Sequence, residues 1–247
     1  MAKSELIGTH LDSPNLRVDF FTPFKVSPSV LLATRILGLL SATSWLLMRE
    51  FIPAGPMPGY CYLTIWGVFA AAVYFWVVVA LSIFPNQKGF TVSTLTPFYK
   101  FLHVLFQLCV GMLFVICLMF WGFLVPSMKA LLARHPDHAH LILWYNIGTH
   151  LIVPFQMWLE SYINNVGYRT KDAVIWLPTV ACVYTCLNYY WTQSYGRPVY
   201  APMDWKSVST PIFMIAAYSL AGFGFYLAKR LWLWKMGGSG KVEKKKE

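Results

Sequence analysis

Apolar residues run along the chain in six long stretches, roughly 29–48, 60–84, 101–125, 140–163, 172–192 and 209–234, bounded by polar or proline-rich breaks. A helix rises about 1.5 Å per residue and the hydrocarbon core of a bilayer is about 30 Å thick, so each stretch is long enough to cross. The stretches lack the alternation of barrel strands, and lipid leaves open backbone groups unsatisfied, so helices are the expected form. The breaks carry helix-stopping chemistry: Pro53, Gly55, Pro56, Pro58 and Gly59 before the second stretch, Pro85 to Pro97 after it, and Gly196, Pro198 and Pro202 before the sixth. No internal repeat is visible. The pattern predicts an all-α, polytopic transmembrane helix bundle with six spans. Its parts are an N-terminal segment 1–28, a membrane domain 29–234 and a basic tail 235–247.

Composition supports that pattern. Hydrophobic residues make up 57% of the chain and charged residues 12%, against roughly 45–50% and 25% in a soluble domain. A disordered chain is excluded, and a soluble globule could not cover so much apolar surface. The charge balance is basic, with 20 Lys and Arg against 10 Asp and Glu. No zinc-finger or RNA-binding motif accompanies it, so nucleic acid is not an expected partner, whereas membrane lipids are, as surroundings.

The basic residues instead orient the spans. Lys3, Arg17, Lys25, Lys88, Lys100, Arg169, Lys171, Lys229, Arg230, Lys235, Lys241, Lys244, Lys245 and Lys246 fall on one face. Only Arg49, Lys129, Arg134, Arg197 and Lys206 fall on the other, and Arg35 is close enough to the start of its span to snorkel. Both termini are therefore expected in the cytoplasm. The first 27 residues have no apolar core of a cleavable signal peptide, which leaves the first span as the targeting signal. The closing Lys244-Lys245-Lys246-Glu247 resembles a dilysine retrieval signal, which implies the endoplasmic reticulum; a solvated basic end, compatible with the plasma membrane, is the other reading. Aromatic residues near span ends, such as Tyr60, Trp66, Tyr190 and Trp232, fit interfacial anchors.

Against so apolar a background, polar residues within spans become candidates for function. His150 lies about ten residues into the fourth stretch, near mid-bilayer on helical spacing, with Asn146 one turn before it and Pro154 one turn after. Two roles are open to it: interhelical packing and hydrogen bonding, or general-base catalysis. Thr64, early in the second stretch, either bonds back to its own helix or serves as a nucleophile activated by a base such as His150. Glu160, roughly 15 Å beyond His150 along the helix, is too far to orient that ring and is expected to cap the inner end or to pair with Arg169 or Lys171. Asn146, Asn188, Tyr189 and Tyr190 are the candidates for positioning substrate or holding an oxyanion.

No metal site and no cofactor are expected. His135, His138 and His140 cluster in a loop where solvation suffices, and His103 and His150 start from opposite edges, unlike a haem pair. Cys182 and Cys186 share a helix face without His or acidic companions and are poorly spaced for a disulfide.

Three stretches together resemble a known group of six-span proteins. Tyr62-Leu63-Thr64-Ile65-Trp66-Gly67 is similar to a Leu-Thr motif at the start of the second span. Asn146 to His150, continuing through Pro154 to Glu160, is similar to an Asn-x-x-x-His motif. Tyr190-Trp191, Gly196, Val199-Tyr200-Ala201-Pro202 and Asp204-Trp205 resemble a segment before the last span. The group is the androgen-induced, FAR-17a-like family with its Rolling stone relatives. The androgen-induced branch implies a membrane hydrolase in which threonine and histidine cleave fatty acid esters of hydroxy fatty acids, making Thr64 the nucleophile and His150 the base. Ala201 within the Tyr-Pro pair and the Asp204-Trp205-Lys206 close are more like the Rolling stone branch, which implies a non-enzymatic scaffold or fusion-related protein.

Overall fold

A computed structural model describes residues 23–52, 58–84 and 92–243. Most of the N-terminal segment and the dilysine-like end, 244–247, lie outside the described residues. All regular structure within them is helical, and the only β-type contact is a bridge between Pro23 and Asn164.

Helix α1, Pro28–Met48, begins where Ser27 accepts the Val30 N–H (3.2 Å) and a proline takes the first position, where no N–H is required. Helix α2 spans Leu63–Ile83 and α3 spans Val92–Met119. After α3 comes a π-turn, Phe120–Leu124, then α4, Val125–Arg134. Helix α5, Ala139–Ile147, runs through a second π-turn, Gly148–Ile152, into α6, Val153–Ile163. Helix α7, Thr170–Tyr195, stops at Gly196, whose φ of +66° suits a residue without a Cβ. Helix α8, Ser209–Glu243, closes the described chain.

Among the described residues, five helical segments are long and apolar enough to cross a membrane: Pro28–Phe51, Leu63–Ile83, Pro97–Leu124, Thr170–Tyr195 and Ser209–Met236. The protein is a helical integral membrane protein. These five correspond to the expected first, second, third, fifth and sixth stretches. The fourth stretch is a helix, a π-turn and a helix in series rather than one regular helix. Gly148 opens that π-turn, and a Cβ there would run into the indole ring of Trp45 of α1, so glycine lets the ring lie against the turn.

Helix α3 is the axis of the bundle. Two thirds of its apolar window is buried, against 17% for α7 and for α8, and α2, α6, α7 and α8 all pack on it. Phe106, Cys109, Val110 and Leu113 of α3 form the core with Val68, Ala71, Phe75 and Val78 of α2. Large exposed apolar side chains on α7 and α8, among them Trp176, Val183, Ile212 and Ile215, present an apolar outer surface suited to lipid.

Charges expected at the edges are found inside. Arg35 and Glu160 are 1% and 0% exposed and form an ion pair, with the Arg35 Nε at 2.9 Å and Nη2 at 2.7 Å from Glu160 Oε1. Tyr74 of α2 donates to the same oxygen at 2.9 Å, and Asn164 donates to it at 3.2 Å. Glu160 therefore pairs with Arg35 rather than with Arg169 or Lys171, and Arg35 does not snorkel. The cause is the antiparallel packing of α1 on α6, which sets the eighth residue of one beside the eighth of the other. Lys235 of α8 caps the end of α6, donating to the carbonyls of Ser161, Tyr162 and Asn164 at 2.8 to 3.0 Å.

Candidate active site

Thr64 is the second residue of α2, where backbone N–H groups have no partner within the helix. No side chain at the N-cap, Tyr62, satisfies them. The Leu63 N–H instead donates to the hydroxyl of Tyr200, 2.9 Å away, in the loop between α7 and α8. That capping contact places the Tyr200 hydroxyl at the N-terminus of α2, one residue from Thr64 along the chain, and both side chains line one cavity.

Across from Thr64 lies His150, in the π-turn between α5 and α6. Its Nε2 is 3.0 Å from Thr64 Oγ1, and both residues are buried. The neighbours of Nδ1 fix the tautomer. One is the Asn146 carbonyl oxygen at 3.1 Å, which only accepts. The other is Thr149 Oγ1 at 3.0 Å, whose proton is already given to the Tyr145 carbonyl at 2.8 Å. Two acceptors require the proton on Nδ1, which leaves Nε2 bare and facing the Thr64 hydroxyl. A backbone carbonyl here does the orienting that a carboxylate does in a catalytic triad.

The histidine is held from two further sides. Its carbonyl would pair with the N–H of residue 154 in a regular helix, but that residue is Pro154. Trp121 Nε1 fills the gap, donating to the His150 carbonyl at 3.2 Å. Phe120 stacks on the imidazole, with ring centroids 3.6 Å apart and planes 17° from parallel. Both contacts come from the first π-turn. Each π-turn is followed by Val-Pro, at Val125-Pro126 and Val153-Pro154, and the Phe120 stacking and the Trp121 hydrogen bond hold the two irregular turns together at the histidine.

Thr64 comes early in its apolar stretch and His150 about ten residues into its own, yet the two side chains meet. His150 lies eleven residues past the start of α5, whereas Thr64 is one past the start of α2. Helix α5 therefore starts about three turns further out than α2, and the two side chains reach the same level.

A cavity of about 450 Å³ opens beside the pair. Its wall is largely apolar, with Leu124, Met128, Leu131 and Ile142, and it also includes Tyr200, Asn146, Arg49 and Arg134. Neither arginine has an acidic partner among the described residues. Tyr200 is half-buried, and burial pushes its phenol up to about 12, so it remains a hydrogen-bond donor at any working pH.

The sequence candidates divide accordingly. Thr64, His150 and Asn146 converge on the cavity, Asn146 orienting the ring through its main-chain carbonyl while its side chain donates to the Ile142 carbonyl at 2.7 Å. Asn188 does not line the cavity. It is fully buried behind it, accepting from Trp205 Nε1 at 3.0 Å and donating to the Tyr184 hydroxyl at 3.5 Å. Tyr184 in turn donates to the Cys61 carbonyl at 2.8 Å. Tyr189 and Tyr190 are mostly exposed and lie outside the cavity wall.

The loop carrying Tyr200 is pinned. Asp204 Oδ1 accepts from the N–H groups of Lys206 and Ser207, both at 3.0 Å, and from Ser207 Oγ at 2.9 Å. These donors, the Lys206 N–H foremost, hold its carboxyl down to about 2. Trp205 adopts a left-handed φ of +59°, and its N–H donates to Thr210 Oγ1 at 2.9 Å. Tyr200 was not singled out by its type, since tyrosines are abundant here; its place in the Val199-Tyr200-Ala201-Pro202 segment was the available signal.

Fold and site together define a helical membrane protein with a buried threonine–histidine pair beside an apolar cavity. The family model described as FAR-17a/AIG1-like protein matches residues 58–231, and the chain belongs to that family. The matched region contains Thr64, Asn146, His150 and Tyr200 but not Arg35 or Arg49. No curated protein and no solved structure matches the chain.

Proposed function

We propose that the protein is a lipid-ester hydrolase with Thr64 as nucleophile and His150 as general base. The observation that carries this reading is the 3.0 Å contact between the Thr64 hydroxyl and a bare His150 Nε2 beside an apolar cavity. A threonine hydroxyl is a weak nucleophile until a base takes its proton, and that transfer requires this distance. Thr64 Oγ1 bonds to the acyl carbon as its proton passes to Nε2. The resulting imidazolium then protonates the departing alkoxide, so the alcohol leaves and an acyl-threonine remains. Water, deprotonated by His150, attacks the acyl carbon; the fatty acid departs and Thr64 recovers its proton.

A cavity of about 450 Å³ falls in the range of about 300–1,000 Å³ that buries a drug-sized ligand, which suits one acyl chain with its ester. Arg49 and Arg134 in the wall favour an ester that also bears an anion. Fatty acid esters of hydroxy fatty acids, implied by the family resemblance, carry such a carboxylate. Replacing both arginines by glutamine is expected to raise KM about tenfold for a carboxylate-bearing ester and to leave the KM of its methyl ester unchanged, as measured in micellar assays.

Six spans with both termini in the cytoplasm remain the proposed topology. Residues 139–163 form a helical run of about 37 Å, enough for a sixth crossing, and the basic residues favour one side. The pair then faces the luminal side of the endoplasmic reticulum. The decisive test of the chemistry is labelling by a lipid-like fluorophosphonate. Wild type is expected to label and Thr64→Ala to remain unlabelled; labelling that survives the substitution excludes Thr64 as nucleophile.

A further inference from the structure

Tyr200 is drawn into the site by a backbone requirement. The first N–H groups of α2 need an acceptor, and Leu63 finds one in the Tyr200 hydroxyl. A phenol oxygen that accepts this bond has its own proton free to give elsewhere, and accepting polarises the O–H further. Thr64 follows Leu63 in the chain and lines the same cavity as Tyr200, while the nearby Tyr184 gives its own proton to the Cys61 carbonyl. The Tyr200 hydroxyl thus sits at the N-terminus of a 21-residue helix whose second residue is Thr64, and both side chains line the cavity.

We infer that Tyr200 is the oxyanion donor of this site, acting with the positive end of α2, and that the Asp204–Trp205–Asn188 cluster exists to position it. The inference rests on the hydrolase reading. When Thr64 Oγ1 bonds to the acyl carbon, the carbonyl π pair moves onto the carbonyl oxygen, which becomes an alkoxide within reach of donors beside Thr64. Tyr200 donates a hydrogen bond to it and keeps its proton, while the Thr64 proton sits on His150. The α2 N-terminus contributes a favourable field at the same place. On collapse the pair returns to the carbonyl, the alcohol departs with the proton from His150, and the Tyr200 hydroxyl is released. The third sequence segment, from Tyr190 to Trp205, thereby gains a role: its left-handed turn at Trp205 and its pinned Asp204 hold a catalytic hydroxyl at the end of a loop.

The test uses the full-length protein in detergent and decyl trifluoromethyl ketone, which forms a tetrahedral oxyanion adduct with an active hydroxyl. Tyr200→Phe removes one oxygen and keeps the ring near Tyr62 and Phe213. The expected result is inhibitor affinity and kcat both lower by about 100-fold, with KM within about threefold of wild type. Tyr168→Phe, which deletes a buried hydroxyl bonded to Ser161 and away from the cavity, controls for the loss of a buried hydroxyl and is expected to keep inhibitor affinity within about twofold. All values are read on the monodisperse fraction, so that a partly unfolded variant does not count as an inactive one. Wild-type affinity in Tyr200→Phe, or equal losses in both variants, overturns the assignment while leaving the hydrolase reading intact. If wild type forms no adduct and Thr64→Ala binds the ketone equally well, the hydrolase reading itself fails and the role of Tyr200 falls with it.

Discussion

His150→Gln is expected to lower kcat by about 10²–10⁴-fold, the range usual for a general base, while leaving the folded protein nearly as stable as wild type. Glutamine is close in length to histidine, and its side-chain carbonyl can accept the hydrogen bond that Thr64 now gives to Nε2. It cannot take the proton away. What the protein loses structurally is the stacking on Phe120 and some interhelical hydrogen bonding. Interhelical hydrogen bonds in membrane proteins average about 0.6 kcal/mol, and a kcal/mol is worth about 2–4 °C of Tm in a chain of this size. A Tm within roughly 1–2 °C of wild type, read by differential scanning fluorimetry in detergent, is therefore expected beside a collapse in turnover of a carboxylic ester. The scaffold reading inverts both halves. If the contact served only to hold α2 against the α5–α6 run, wild type would show no esterase activity for His150→Gln to lose, and variants that remove the bond, such as Thr64→Ala, would register as lost stability alone.

The site was partly legible because its two central residues are anomalies. A threonine at the start of one apolar stretch and a histidine within another are conspicuous against Leu, Val and Phe, and Pro154 marks the helix around His150 as irregular. The manner of that irregularity was not legible. A π-turn is a shift of backbone register, and nothing in side-chain periodicity marks it, although the Val-Pro after each turn is a usable sign. The same limit applies to Tyr200. Its importance comes from capping a helix distant in sequence, a long-range contact that local pattern cannot supply. Asn188 illustrates the converse: a polar residue in a span was expected to face the site, but Trp205 and Tyr184 satisfy it behind the wall. Relative depth was not legible for a simple reason. Counting residues from the start of each apolar stretch assumes the stretches start at one level, and α5 begins well beyond α2.

Arg35→Met is expected to be the most destabilising single change, by about 3–5 kcal/mol, because it leaves Glu160 buried without its cation. That carboxylate is 0% exposed, and four hydrogen bonds converge on its Oε1: two from Arg35, one from Tyr74 and one from Asn164. Water cannot replace the guanidinium at that depth without opening the packing of α1, α2 and α6. At about 2–4 °C per kcal/mol the Tm falls by roughly 6–20 °C. The double variant Arg35→Met with Glu160→Met is expected to recover most of the loss, since apolar side chains of similar volume remove the desolvation cost of both charges together. A double-mutant cycle on Tm in detergent measures this directly. A double variant as unstable as the sum of the singles would show that the pair contributes no mutual stabilisation and that the two side chains matter only for their separate contacts. Glu160 is ten residues from His150, roughly 15 Å along the helix, so fluorophosphonate labelling of Thr64 should survive in the double variant. The polar cluster at the C-terminal end of α6 would then be what fixes α6 against α1, and with it the level at which His150 meets Thr64.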